Sequence, residues 1–127
     1  MAKNDSITGW TLDRRQRTEL LQQFPPRYPN IVADHVTLKY PAGRDAPLPE
    51  AVVGEIVGHA DDLKGVEAMV VRIAGSTDRP DGGTYHITWS LGSGRKPKES
   101  NDVIAARGWQ ALDLPMPVQL APARWPR

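Results

Sequence analysis

The sequence predicts an α+β fold made mainly of antiparallel strands with two short helices. Three observations carry this. Short runs rich in β-branched and aromatic residues recur along the 127 residues. The 12 prolines and 11 glycines fall between those runs as punctuation, which marks turns and not one low-complexity tract. Only two stretches carry helical start and stop signals.

Residues 1–8 are expected to form a flexible N-terminal segment, with Met1–Ser6 polar and frayed, ahead of a single domain over 9–127. The stretch from Asp13 to Phe24 reads as a helix. Asp13 is its N-cap, Gln16 stands where a capping box wants Gln or Glu, and Leu20, Leu21 and Phe24 form the apolar stripe. Pro25 and Pro26 stop it, since proline lacks the donor and biases its predecessor away from helix. Strands are expected over 31–40, 51–60, 66–73 and 84–91, with the turn DDLKG joining the second and third as a hairpin. The basic loop SGRKPK leads to a short helix, ESNDVIAARG, for which Gly108 is a C-terminal cap. The tail WQALDLPMPVQLAPARW supplies one or two last strands, and its prolines suggest edge positions.

Composition narrows the function. Sixteen Lys and Arg against 15 Asp and Glu leave a formal charge of +1, so a domain gripping long duplex nucleic acid by bulk electrostatics is disfavoured. A small phosphorylated ligand in a local basic pocket remains compatible. With no cysteine there is neither a disulfide framework nor a thiolate metal site, which fits a reducing cytoplasm. The start MAKNDSITGW lacks an export signal, and no window approaches a membrane-spanning apolar run. A cytoplasmic monomer is the expectation.

The chemistry lies in the histidines. Two of the three are followed two residues later by threonine, His35-Val36-Thr37 and His86-Ile87-Thr88. Residues two apart in a strand share a face, so each histidine has a hydroxyl beside it. Lys39 joins the first polar face, while Val36, Leu38 and Tyr40 take the other. In the second strand Thr84, His86, Thr88 and Ser90 form a polar face that wants a cleft, and Tyr85, Ile87, Trp89 and Leu91 an apolar one. Two imidazoles and two hydroxyls around one pocket suffice for displacement at a phosphodiester. One histidine takes a proton from the attacking oxygen and the other gives one to the leaving oxygen, since imidazole titrates near working pH. The threonines hydrogen-bond the non-bridging oxygens. No metal or other cofactor is needed for this scheme, and Asp34 lies on the face opposite His35, so a metal pair lacks an obvious third ligand. Which histidine is acid and which is base stays open.

The paired motifs HVTL and HITW resemble those of the 2H phosphoesterase superfamily, at a histidine spacing of 51 (86 − 35). That group includes RNA 2′,3′-cyclic phosphodiesterases, the phosphodiesterase domain of fungal-type tRNA ligases, and phage nucleases that degrade immune cyclic oligonucleotides. The downstream GRKPKESN resembles a loop of the tRNA-ligase branch. The resemblance implies a compact bilobal fold in which one H-x-T strand from each lobe meets in a central cleft. It implies His35 and His86 as the acid–base pair and Thr37 and Thr88 as phosphate ligands. The chain is shorter than many members, which implies trimmed lobes.

The expected activity is hydrolysis of a 2′,3′-cyclic phosphate at an RNA or nucleotide end. Cleavage of cyclic oligonucleotide signals is the second enzymatic reading, and a non-catalytic nucleotide- or RNA-binding module is the alternative from another class. Lys39, Tyr28, Arg95, Lys96 and Lys98 are candidate substrate contacts, each with solvated surface as its ordinary alternative. Tyr28, Tyr40, Trp10 and Trp89 are possible base-stacking rings, of which Trp89 is assigned to the core by its place on the apolar side of its strand. His59 lacks a threonine partner and is expected to be structural or exposed. Ser100 and Asn101 are expected to cap the second helix.

Overall fold

A computed structural model describes residues 6–126. In chain order the elements are β1 (Ser6–Leu12), α1 (Arg14–Gln23), β2 (Asn30–Ile31), β3 (His35–Ala42), β4 (Val52–Asp61), β5 (Val66–Arg72), β6 (His86–Leu91), α2 (Glu99–Arg107) and β7 (Gln110–Pro126). The strands form one curled, half-barrel sheet in the order β2-β6-β5-β4-β7-β1-β3, every pairing antiparallel. The fold is α+β, as the sequence predicts.

The N-terminal expectation is corrected for residues 6–8. They open β1, which pairs with β3 on one side and β7 on the other, and Ser6 and Thr8 are buried. Their polar side chains hid the strand, and two-sided pairing overrides that local bias. The remainder of the expected flexible segment, residues 1–5, lies outside the described residues.

Helix α1 begins as its sequence dictates, with the Asp13 carboxylate accepting from the Gln16 amide at 2.9 Å. The Gln16 side chain does not return the bond. It spans to β7 instead, donating to the Pro117 carbonyl at 3.0 Å and accepting from the Gln119 amide at 2.6 Å. Leu20, Leu21 and Phe24 enter a core with Trp10, Val36, Ile56, Met69, Ile87, Trp89 and Val118. Helix α2 covers the opposite face, where Val103 and Ile104 pack on Val57, Val66, Ala68, Val70 and Leu91. β5 is thus buried on both faces, which explains why VEAMVV is apolar almost without alternation.

The tail forms a single 17-residue strand, β7, not an edge. Its first part pairs with β4, with an irregularity between Met116 and Ala111, and from Leu120 onward it pairs with β1. Each proline therefore has a flank without a ladder partner, where a missing N–H costs little.

The curl is closed by the chain itself. β2 pairs with β6, and the pairing runs on through the Val32 amide to the Trp89 carbonyl (3.0 Å) and the Ala33 amide to the Thr88 carbonyl (2.9 Å). Ala33 is fully buried at φ +41, in the left-handed region that a non-glycine residue seldom adopts. Past this kink the chain changes partner: the Asp34 carbonyl accepts from the Leu12 amide at 3.0 Å, and β3 pairs with β1.

Candidate active site

The hand-over at Ala33 fixes where the motifs meet. Ala33 lies against Thr88 on antiparallel neighbours, so His35 comes up alongside His86 across the seam between β3 and β6. His35 shares a register position with Thr11, and Trp10 and Val36, the next pair, face the core. His86 pairs with Val70, which belongs to the α2 side of the sheet. Both imidazoles thus leave the sheet on the face away from the main core.

His86 is buried, and its Nδ1 donates to the Thr84 carbonyl at 2.8 Å. A carbonyl only accepts, so the proton sits on Nδ1 and Nε2 carries a lone pair. Burial pushes its pKa below the ordinary 6.5. The Thr84 bond opposes that shift, and the nearby charges of Arg79 and His35 add to it. This imidazole rests neutral at neutral pH.

His35 is more open, and its Nδ1 lies 3.2 Å from the Asp34 carboxylate. Burial would raise the Asp34 carboxyl, but hydrogen bonds from His35 and Arg14 (Nη2, 3.1 Å) hold it below its usual range. The carboxylate holds Nδ1 and so leaves Nε2 as the nitrogen turned away from Asp34. Asp34 thus orients its neighbour, despite the alternation that places it on the other face. The Trp125 ring packs on His35, with centroids 4.6 Å apart.

A cavity of about 490 Å³ opens over His86, with Arg79, Thr84, Asp102 and Trp109 in its walls. Arg79 is a candidate site residue that the sequence reading did not single out. Its side chain is only 12% exposed, and its Nε donates to Asp81 at 2.7 Å. Both terminal nitrogens make no hydrogen bond among the described residues, so they remain available to an anion. Gly83 lets the guanidinium lie close, since a Cβ there would stand 2.5 Å from Nη2. In the sequence Arg79 is one residue of a Gly/Pro-rich turn, and nothing local distinguishes it.

The structure divides the remaining sequence candidates. The Thr37 hydroxyl makes no hydrogen bond among the described residues, although neither Thr37 nor His35 lines the cavity over His86. Thr88 is buried, and its hydroxyl donates to the Pro97 carbonyl (3.2 Å) and meets Ser100 Oγ (2.8 Å). Helix α2 thus covers the Thr88 hydroxyl, but the expected single polar face of β6 is corrected: past an irregularity opposite Glu67 and Ala68, Ser90 bonds Glu67 and Leu91 joins the cluster under α2. Ser100 is spent on this contact and not on a cap; Lys98 occupies the N-cap without a side-chain bond, and Asn101 donates to the Lys98 carbonyl at 3.1 Å.

Lys39 is exposed and lines a separate cleft of about 400 Å³ with Leu38, Pro80 and Asp81. Tyr28 stands at the far end of β6, where its amide meets Ser90 and its hydroxyl donates to Asp61 at 2.6 Å. At ~3.3 Å per residue that is about 13 Å along the strand from His86. Arg95 is held by Asp62 (2.9 Å), Glu99 (3.0 Å) and the Lys64 carbonyl (2.6 Å), which ties the hairpin turn to α2. Tyr28 and Arg95 are thus structural here. Lys96 and Lys98 are exposed on either side of Pro97, next to the covered Thr88. His59 is structural as well, bonded at 2.8 Å to the buried Glu67, which also accepts from Ser90 (2.6 Å) and the Arg27 amide (3.0 Å).

Among the described residues no three His, Asp or Glu side chains converge as a metal site, and no helix is long and apolar enough to cross a membrane. No protein-family model matches the chain, and no curated protein or solved structure matches it.

Proposed function

We propose that this chain is a two-histidine phosphoesterase of the 2H type, which opens a 2′,3′-cyclic phosphate on a nucleotide or RNA end without needing a metal. The observation that supports the reading is that His35 and His86 stand on the two strands flanking the seam, close enough for His35 to act on His86 electrostatically, each with Nδ1 held by an acceptor and Nε2 without a hydrogen bond among the described residues. Neutral His86 takes a proton from water as the water oxygen bonds to phosphorus. His35, its Nδ1 held by Asp34, acts as the acid and gives its Nε2 proton to the ribose oxygen as the P–O bond to it breaks. The product is a phosphomonoester and a free hydroxyl. Arg79 neutralises charge building on the non-bridging oxygens, and the unbonded Thr37 hydroxyl is the second ligand. With this reading goes a two-lobed description of the sheet, β4–β5–β6 against β1–β3–β7, each half giving one H-x-T strand.

A non-catalytic nucleotide-binding module is the second reading. It draws on the Thr88 hydroxyl being engaged by α2 and on His35 lying outside the walls of the His86 cavity.

The test is turnover of 2′,3′-cyclic mononucleotides, a short RNA ending in a cyclic phosphate, and cyclic di- and trinucleotides, all in EDTA. His35→Ala and His86→Ala are each expected to lower turnover of the first two by about 10²–10⁴-fold, the usual contribution of acid–base catalysis. Turnover confined to the cyclic oligonucleotides moves the reading to signal cleavage. Nucleotide binding without any turnover moves it to the binding module, and turnover that survives both substitutions removes the acid–base assignment.

A further inference from the structure

We propose that Trp109 is the platform on which the substrate's nucleobase stacks when its phosphate lies at His86. This rests on the phosphoesterase reading for the position of the phosphate, but the stacking itself is argued from the placement of the ring.

Gly108 ends α2 at φ +70, its amide returning to the Ile104 carbonyl at 2.8 Å, and this turn lays Trp109 over β4. The indole rests directly on Gly58: a Cβ built there would fall 2.0 Å from ring carbon Cε3. A side chain at position 58 would lift the ring away, so glycine is what lets the indole sit this low. Its position relative to His86 follows from the register. Gly58 pairs with Val70, and Val70 pairs with His86, so the three form one row across neighbouring strands. At ~4.8 Å per strand, Gly58 and His86 stand about 10 Å apart. Trp109 and His86 line the same cavity, with Arg79 on the His86 side and Ile104 and Ala105 of α2 forming part of the wall. That span suits a nucleotide whose phosphate meets the imidazole and whose base reaches the indole.

Packing on Gly58 alone would not leave the ring where it is. Trp109 remains 38% exposed, and its Nε1 makes no hydrogen bond among the described residues. The core tryptophans differ. Trp89 donates to the Phe24 carbonyl and Trp10 to the Glu50 carbonyl, both at 2.8 Å, and both rings are buried. An indole with one side on Gly58 and over a third of its surface still exposed in a cavity wall is suited to stacking a second planar group, and such a contact tolerates any base because every base has a π-face.

The experiment is calorimetric titration with a nucleoside 2′-monophosphate and with ribose 2-phosphate, which lacks the base, on wild type, Trp109→Leu and Trp109→Phe. Leucine keeps Gly58 covered without offering a π-face, and the thermal midpoint checks that each variant folds. Trp109→Leu is expected to lose about 5- to 150-fold in affinity for the nucleotide, from ~1–3 kcal/mol per stacked base. It should lose nothing for ribose phosphate, and Trp109→Phe should recover most of the loss. With a cyclic substrate the same loss should appear in KM while kcat holds. Unchanged nucleotide affinity in Trp109→Leu, with wild type still binding and turning over, would overturn the platform and leave the phosphoesterase reading standing. Equal losses for both ligands would also overturn it, as a structural effect. Nucleotide binding that needs Trp109 without any turnover would retain the platform and overturn the phosphoesterase reading, and wild type binding neither ligand would overturn both.

Discussion

The Nδ1 of His86 donates to the carbonyl oxygen of Thr84, two residues earlier in the chain, at 2.8 Å. One short bond decides the tautomer of a buried ring, and with it which nitrogen can accept a proton.

The pH dependence follows from that ring. The pKa of His86 is lowered mainly by burial, so the folded protein binds a proton there less readily than the unfolded chain does. Its contribution to stability is present above the ordinary value of 6.5 and is lost as pH falls through 6.5 toward the folded value. Chemical denaturation at a series of pH values is expected to show stability declining through this window, with a shallower decline in His86→Asn. The carboxylates of Asp34, Asp61, Asp62 and Glu67 titrate below their ordinary values and act only at lower pH. The acidic limb of kcat/KM is expected to lie below the ordinary histidine range, and a limb at or above 6.5 would remove His86 as the base.

Arg79 is expected to matter to turnover far more than its place in a surface turn suggests. Arg79→Ala should cost about 10²–10³-fold in kcat, the scale of losing one donor to developing charge. Arg79→Lys should recover only part, because an ammonium cannot reproduce the guanidinium fork. Gly83→Ala should act in the same direction by pushing Nη2 aside. Steady-state kinetics on a cyclic mononucleotide checks all three.

The two motif threonines should separate. Thr37→Val is expected to reduce turnover while leaving denaturant stability within about 0.5 kcal/mol, since its hydroxyl has no partner to abandon. Thr88→Val strands the buried Ser100 hydroxyl, while the Pro97 carbonyl keeps the Ser100 amide, at a cost of about 1–3 kcal/mol. Urea melts of the two variants decide this, and equal stabilities would contradict the assignment.

Much of this architecture was legible in the sequence because its signals are local. Asp13 caps α1, Asp62 accepts from the Lys64 and Val66 amides in the hairpin turn, and Gly108 ends α2, each within four residues of its partner. What stayed hidden depends on distant partners. β1 is a strand because β3 and β7 flank it, although Ser6 and Thr8 are polar. β7 keeps its prolines because it changes partner midway. Tyr28 and Arg95 carry the chemistry of substrate contacts, but their ion and hydrogen-bond partners lie about thirty residues away, in β4 and the turn after it. Arg79 is the converse: its sequence context is a plain turn, and only the path of β6 behind it brings its guanidinium to the cavity over His86.

The kink at Ala33 acts as the clasp of a bracelet. The last pairings of β2 with β6 and the first of β3 with β1 stand on either side of one buried residue, so the gap between the two imidazoles is set by whether the ring is fastened. A polypeptide that stops short of residue 86 has His35 but nothing to fasten it to, and a nick between Ile31 and His35 would unclasp the ring while leaving most of both apolar clusters in place. The juxtaposition of the two imidazoles therefore depends on completion of the whole ring, and partially assembled forms would lack it.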